Sequence, residues 1–248
     1  MGEQIRLDKC LTMLGLGSRS GVKQLIRGGS VRIDGEIIRE PERKLDAEQS
    51  QITVNGTTVE YKAVRTVMMN KPSGVLTAAR DKKQRTVLDL LPPMYAAMGC
   101  MPAGRLDKDT TGMLILTSDG ALAHRLITPG KEVGKTYEAL VNGPFTQEDQ
   151  ARFAAGMHIE DADGTFDARP AKALLLSSDG LQSLVRVRIT EGKYHQVKRM
   201  FLACGLTVLQ LKRTKIGSLE LDPALKPGDF RELTEAEAAL LEQEETDG

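Results

Sequence analysis

Gly104-Arg105-Leu106-Asp107-Lys108-Asp109-Thr110-Thr111-Gly112, followed at once by Met113-Leu114-Ile115-Leu116-Thr117, decides how this chain is read. The apolar run is short, continuous and closed by Ser118-Asp119-Gly120, which is the pattern of a buried strand. Thr-Thr-Gly ahead of it reads as a tight turn, with Gly112 free to take a positive φ or to let another backbone come close. The nonapeptide is therefore a polar loop feeding a core strand. A loop held by a rigid scaffold is a common seat for a catalytic side chain.

Working outward, Thr66-Val67-Met68-Met69-Asn70 reads as a strand, Lys71-Pro72-Ser73-Gly74 as a turn and Val75-Leu76-Thr77 as a return strand. Thr86 to Leu91 opens a short helix that Pro92-Pro93 must end. A helix follows Asp119-Gly120 and stops near Pro129. Lys135-Thr136-Tyr137-Glu138-Ala139-Leu140-Val141 alternates and ends at Asn142-Gly143, as a strand does. Thr146 caps a helix reaching about Ala155, with Asp149 in the capping-box position. Leu184-Val185-Arg186-Val187-Arg188-Ile189-Thr190 alternates as a strand with one wet face. Glu191-Gly192-Lys193-Tyr194-His195-Gln196-Val197-Lys198-Arg199-Met200 then leads into a helix closed by Gly205, and Val208-Leu209-Gln210-Leu211 is another strand.

The first quarter reads as a separate module. Leu7, Cys10, Leu11 and Leu14 recur at helical spacing, and Ser18 is placed to cap a second helix ending at Gly28-Gly29. On that helix Arg19, Lys23 and Arg27 sit four apart, on one face. Val31-Arg32-Ile33 and Glu36-Ile37-Ile38 flank Asp34-Gly35, a type I′ turn signal, and Asn55-Gly56 repeats the pattern.

The 248 residues carry 34 basic and 34 acidic side chains, so the net charge is zero, but the charge is unevenly placed. Residues 19–32 hold four bases and no acid; 191–215 hold six bases and one acid; 231–248 hold seven acids and one base. An acidic tail cancels basic patches in the sum, not in space. Three widely separated cysteines suggest no disulfide framework and no zinc site, and fit a reduced, cytoplasmic protein. The charged N-terminus lacks a signal peptide, and no apolar run is long enough to span a membrane. Ser-His-Asp spacing, a phosphate loop and a metal cluster are all missing, which argues against those chemistries.

The nonapeptide resembles the signature of the pseudouridine synthases, in particular the RsuA branch that acts on the ribosomal small subunit. Lys135-Thr136-Tyr137 resembles a second motif of that family, and 191–200 matches a third closely. The basic helix with Val31-Arg32-Ile33-Asp34-Gly35 resembles the S4 RNA-binding module. The resemblance implies an α+β chain: a mixed, largely antiparallel sheet with flanking helices and a central cleft, plus a small N-terminal domain. It divides the chain into an S4-like domain at 1–60, a linker at 61–65, a catalytic domain at 66–233 and a solvated acidic tail at 234–248.

The same resemblance implies isomerisation of a uridine to pseudouridine in 16S rRNA, with no cofactor and no metal. Asp107 is then the catalytic carboxylate, Lys198 the cation beside it, and Tyr137 the ring that stacks on the uracil. RNA contacts are expected from Ser18, Arg19, Lys23, Arg27, Arg32, Lys71, Arg105, Lys193, His195, Gln196 and Arg199. The implied partner is small-subunit rRNA or an assembling small subunit, approached by a monomer in a bacterial cytoplasm. Large-subunit (23S) rRNA is the alternative substrate, and a non-catalytic S4-type RNA-binding or assembly protein the alternative function.

Overall fold

The computed structural model describes residues 4–128 and 133–243. Apolar side chains form a small N-terminal core, a large core on one face of a nine-stranded sheet and another small core on its opposite face.

The N-terminal core gathers Leu7, Cys10 and Leu11 from helix Leu7–Met13, and Val22 and Ile26 from helix Arg19–Arg27. The Ser18 hydroxyl accepts from the Gly21 amide at 3.2 Å and caps the second helix, as its residue type favours. Four short strands follow in the spatial order Glu36–Ile37, Val31–Ile33, Ile52–Val54, Thr57–Val59. Both expected tight turns are present: Asp34 and Gly35 have φ of 52° and 87°, Asn55 and Gly56 of 50° and 81°. Strand Gln4–Arg6, paired with Lys44–Asp46, is an addition that the sequence pattern did not suggest.

The large sheet runs Lys172–Ser178, Gln182–Ile189, Lys135–Asn142, Val208–Ile216, Thr111–Thr117, Thr66–Lys71, Phe230–Glu232. Every neighbouring pair is antiparallel except Val208–Ile216 with Thr111–Thr117. Helices Gln147–Ala155 and Gln196–Ala203 cover one face, packing Phe145, Phe153 and Phe201 edge to face. The Thr146–Asp149 capping box expected for the first of these is present. Helix Gly120–Ile127 packs Leu122 and Leu126 on the other face. The chain is thus α+β, with a mixed and largely antiparallel sheet.

Four segments add detail to the local expectations. Residues 75–77 form no strand; a single bridge joins Leu76 to Thr86. The short helix expected from Thr86 is present as the 3-10 helix Val87–Leu90, ended ahead of Pro92 and Pro93. Within 61–65, Arg65 is buried and pairs with Glu232, which also accepts from Lys62 and from the Tyr95 hydroxyl. The acidic C-terminus is not simply solvated: helix Glu235–Leu240 leads Leu241, wholly buried, among Met68, Ile115 and Ile216. No described helix is long and apolar enough to cross a membrane.

Candidate active site

Strand Thr111–Thr117 lies between two backbones that pin its first residues. Gly112 pairs with Lys71 on one side and with Arg213 on the other. Its φ is +96°, and a Cβ there would sit 2.2 Å from the Arg213 carbonyl oxygen. The glycine is therefore required by close approach inside the strand, not by a turn before it.

The loop ahead of this strand is held from beneath. The Lys71 side chain is fully buried, and its ammonium donates to the carbonyls of Pro72, Asp107, Lys108 and Thr110 at 2.9–3.2 Å. The Thr77 hydroxyl donates to the Leu106 carbonyl at 2.7 Å and accepts from its amide at 3.2 Å. Burial pulls the Lys71 ammonium down to about 8, against the opposing pull of Asp109 and Asp107. Lys71 neither solvates a turn nor faces RNA; it clamps the loop that presents Asp107.

Above that loop stands the first turn of helix Gln196–Ala203. Lys198 Nζ lies 3.1 Å from Asp107 Oδ2 and 2.6 Å from Asp109 Oδ1, so one cation serves two carboxylates. Burial draws the Lys198 ammonium down, but the bonds and charges of Asp109 and Asp107 outweigh it and leave it above its ordinary value. The bond from Lys198 holds the Asp109 carboxyl below the usual range. Lys198 therefore stays charged beside Asp107. His195 Nε2 stands 3.6 Å from Asp107 Oδ1.

Asp107 opens on a small cavity of about 80 Å³ walled by Leu106, Tyr137, Leu211 and His195, with Arg105 on its rim. Tyr137 is 7% exposed, its ring against the site. Opposite it across the strand pair is Arg213, 2% exposed. The Arg213 guanidinium donates to the Met113 carbonyl at 2.8 Å and approaches the Tyr137 hydroxyl at 3.5 Å. Sequence reading passed over Arg213 as one more base in a basic string. The signal was there: two residues after Leu211 on one strand, it shares that core-facing side. Asp109 was likewise quoted but given no part. A wider trough, about 950 Å³, crosses the other face of the sheet past Glu138, Arg186 and Lys212 and contains no part of the Asp107 loop.

Of the expected RNA contacts, Ser18, Arg19, Arg27, Arg32, Arg105 and Lys193 are exposed, and His195 is half-buried at the cavity. Lys23 lies 3.7 Å from Asp8 and 3.6 Å from Glu42, so part of its charge is answered within the domain. Two expectations are corrected with Lys71. Gln196 is 3% exposed; its amide nitrogen donates to Glu191 and its oxygen accepts from the Lys193 amide. Arg199 is 6% exposed, bonded to Asp161 at 2.7 Å and stacked over Phe166. Helix periodicity turns both inward, where they brace the loop 191–195 and hairpin 157–168.

This arrangement was compared with known proteins. The profile described as RNA pseudouridylate synthase matches residues 65–203, and that described as S4 domain matches residues 5–50. The chain belongs to the RNA pseudouridylate synthase family. Its catalytic region carries that family's fold behind an N-terminal S4 domain. A Bacillus subtilis relative named "Uncharacterized RNA pseudouridine synthase YtzG" is 46% identical, over 96% of this chain and 99% of its own. The "Ribosomal small subunit pseudouridine synthase A" of Escherichia coli is 37% identical, over 96% of this chain and the whole of its own. The "Ribosomal large subunit pseudouridine synthase B" of Bacillus subtilis is 38% identical, over 95% of each chain. A crystal structure of a pseudouridylate synthase, 33% identical, superposes with a TM-score of 0.65 over 96% of this chain and 99% of its own. The family is one of enzymes, and this chain is a pseudouridine synthase.

Proposed function

We propose that this pseudouridine synthase isomerises one uridine of small-subunit (16S) ribosomal RNA, as a cytoplasmic monomer without a cofactor. The observation that carries the chemistry is the Asp107 carboxylate, in the lining of the small cavity and 3.1 Å from the Lys198 ammonium. The uridine is flipped out of its stack to reach it. The C1′–N1 bond breaks, the uracil turns over, and C1′ rejoins at C5. The C5 proton leaves and N1 takes one up, so atoms balance with no oxidant and no transferred group.

Asp107 is the catalytic carboxylate in this reading. Lys198 puts a charged ammonium 3.1 Å from it, a fixed countercharge at the reacting carboxylate. Tyr137 supplies the flat face against which the uracil turns, and is placed to accept the C5 proton. Arg105 and Lys193 on the rim, with the exposed Arg19, Arg27 and Arg32 of the S4 domain, hold phosphates. Naked 16S rRNA or an assembling small subunit is the form presented.

The small-subunit relatives, aligned over nearly the whole of both chains, support the 16S assignment. The large-subunit relative, 38% identical, favours 23S rRNA as a second reading. Carbodiimide mapping with primer extension separates the two, using unmodified 16S and 23S transcripts and their assembly particles. One new stop in 16S rRNA, lost with Asp107→Asn, is the expected result. A stop in 23S rRNA instead would overturn the 16S assignment and keep the chemistry.

A further inference from the structure

Tyr194 is the aromatic ring at the site that the proposed chemistry leaves unused. It is 60% exposed, whereas Tyr137 inside the cavity is 7% exposed. Its ring lies on the His195 imidazole, with centroids 3.8 Å apart and planes inclined by 24°. His195 has φ +50°, a left-handed conformation that is uncommon for a residue with a Cβ, though His is among the types that adopt it most readily. That turn sets the imidazole between two carboxylates, with Nε2 3.6 Å from Asp107 Oδ1 and Nδ1 3.9 Å from Asp163 Oδ2. The loop beneath is fixed by Gln196, which bonds both the Lys193 amide and Glu191. The result is a two-ring stack. Its inner ring meets the carboxylate, and its outer ring faces solvent from a rigid base.

Resting on the pseudouridylation reading above, we infer that Tyr194 is a stacking platform for the unpaired nucleobase next to the uridine that enters the cavity. A base flipped into the cavity leaves its neighbour in the strand outside, at the rim. Tyr194 stacks on His195, which lines the cavity, and the lining also carries two exposed cations, Arg105 and Lys193, the latter its neighbour in the chain. Flipping one base strips its neighbour of a stacking partner, and a pre-set aromatic face restores that contact at little ordering cost. Every base has a π-face, so the platform fixes the position of the neighbour rather than its identity.

The test uses the full chain and the rRNA transcript that the wild type modifies, with multiple-turnover kinetics. Tyr194→Ala and Tyr194→Leu are expected to raise KM about ten- to hundredfold, with kcat within about twofold. Tyr194→Phe and Tyr194→Trp are expected to keep both within about twofold. An abasic residue beside the target uridine, in a synthetic RNA, should cost the wild type the same factor and cost Tyr194→Ala nothing more. Unchanged KM in Tyr194→Ala, a loss confined to kcat, or additive losses from the variant and the abasic RNA would overturn the platform. A wild type that modifies neither the transcripts nor their assembly particles would overturn the pseudouridylation reading first, and the platform with it.

Discussion

The Lys71 ammonium donates to the main-chain carbonyl of Asp107 at 3.0 Å, from beneath the loop whose side chain meets Lys198 above it. One cation thus orders the backbone of the loop, and a second holds its carboxylate. The first acts from a strand and the second from a helix, and neither replaces the other.

Lys71→Met is expected to destabilise the fold by about 3 kcal/mol, because buried carbonyls lose their donor. RNA affinity should be unchanged, since the side chain is sealed from solvent. The sign of the pH dependence follows from the ammonium being lowered to about 8 against an ordinary 10.5. Between those values the unfolded chain binds more protons, so stability should rise with pH there, relative to the variant. Urea midpoints from pH 7 to 10.5 measure both effects.

Gly112→Ala should be among the most damaging single-methyl additions in the protein. The new Cβ would meet the Arg213 carbonyl oxygen at 2.2 Å, on a backbone with φ of +96°. Moving strand Val208–Ile216 to relieve it would disturb Arg213 and Tyr137 together. Loss of about 3 kcal/mol or more is expected, read as a fall in Tm and in soluble yield.

Lys198→Met removes the charge beside Asp107 and should slow single-turnover pseudouridine formation by about 10²–10⁴, with RNA binding retained. Asp109→Asn leaves Lys198 on Asp107 alone, and a change of about tenfold or less is expected. If Asp109→Asn were as damaging as Lys198→Met, the second carboxylate would have a direct part in the reaction.

Arg19→Ala with Arg27→Ala should weaken RNA binding with little effect on single-turnover rate at saturation. The slope of log K against log salt should fall by about 1 for each removed phosphate contact. Lys23→Ala should have a smaller effect, since Asp8 and Glu42 already lie against that ammonium.

Much of this site was legible as local pattern. Asp107, Tyr137 and Lys198 sit in three short motifs, and the structure brings all three to one cavity or its mouth. The caps at Ser18 and Thr146 and the turns at Asp34-Gly35 and Asn55-Gly56 also hold, because each is set by a few adjacent residues. Lys71, Gln196 and Arg199 were misread for a common reason. Each is polar, and its neighbours in the chain do not tell whether it meets water, RNA or another part of the protein.

The sequence by itself determined the alternation of strands, the helix starts, the placing of charge and the three motifs. These follow from backbone conformational preference and from periodicities of two and 3.6 residues. Only the tertiary structure decided which cations are spent inside. It buried Lys71 under the loop, set Arg213 against Tyr137, shared Lys198 between Asp107 and Asp109, and packed Leu241 into the second core. The physical reason is that a buried charge must find its partner wherever the fold supplies one, and that partner is fixed by strand pairing across the sheet, not by neighbours in the chain.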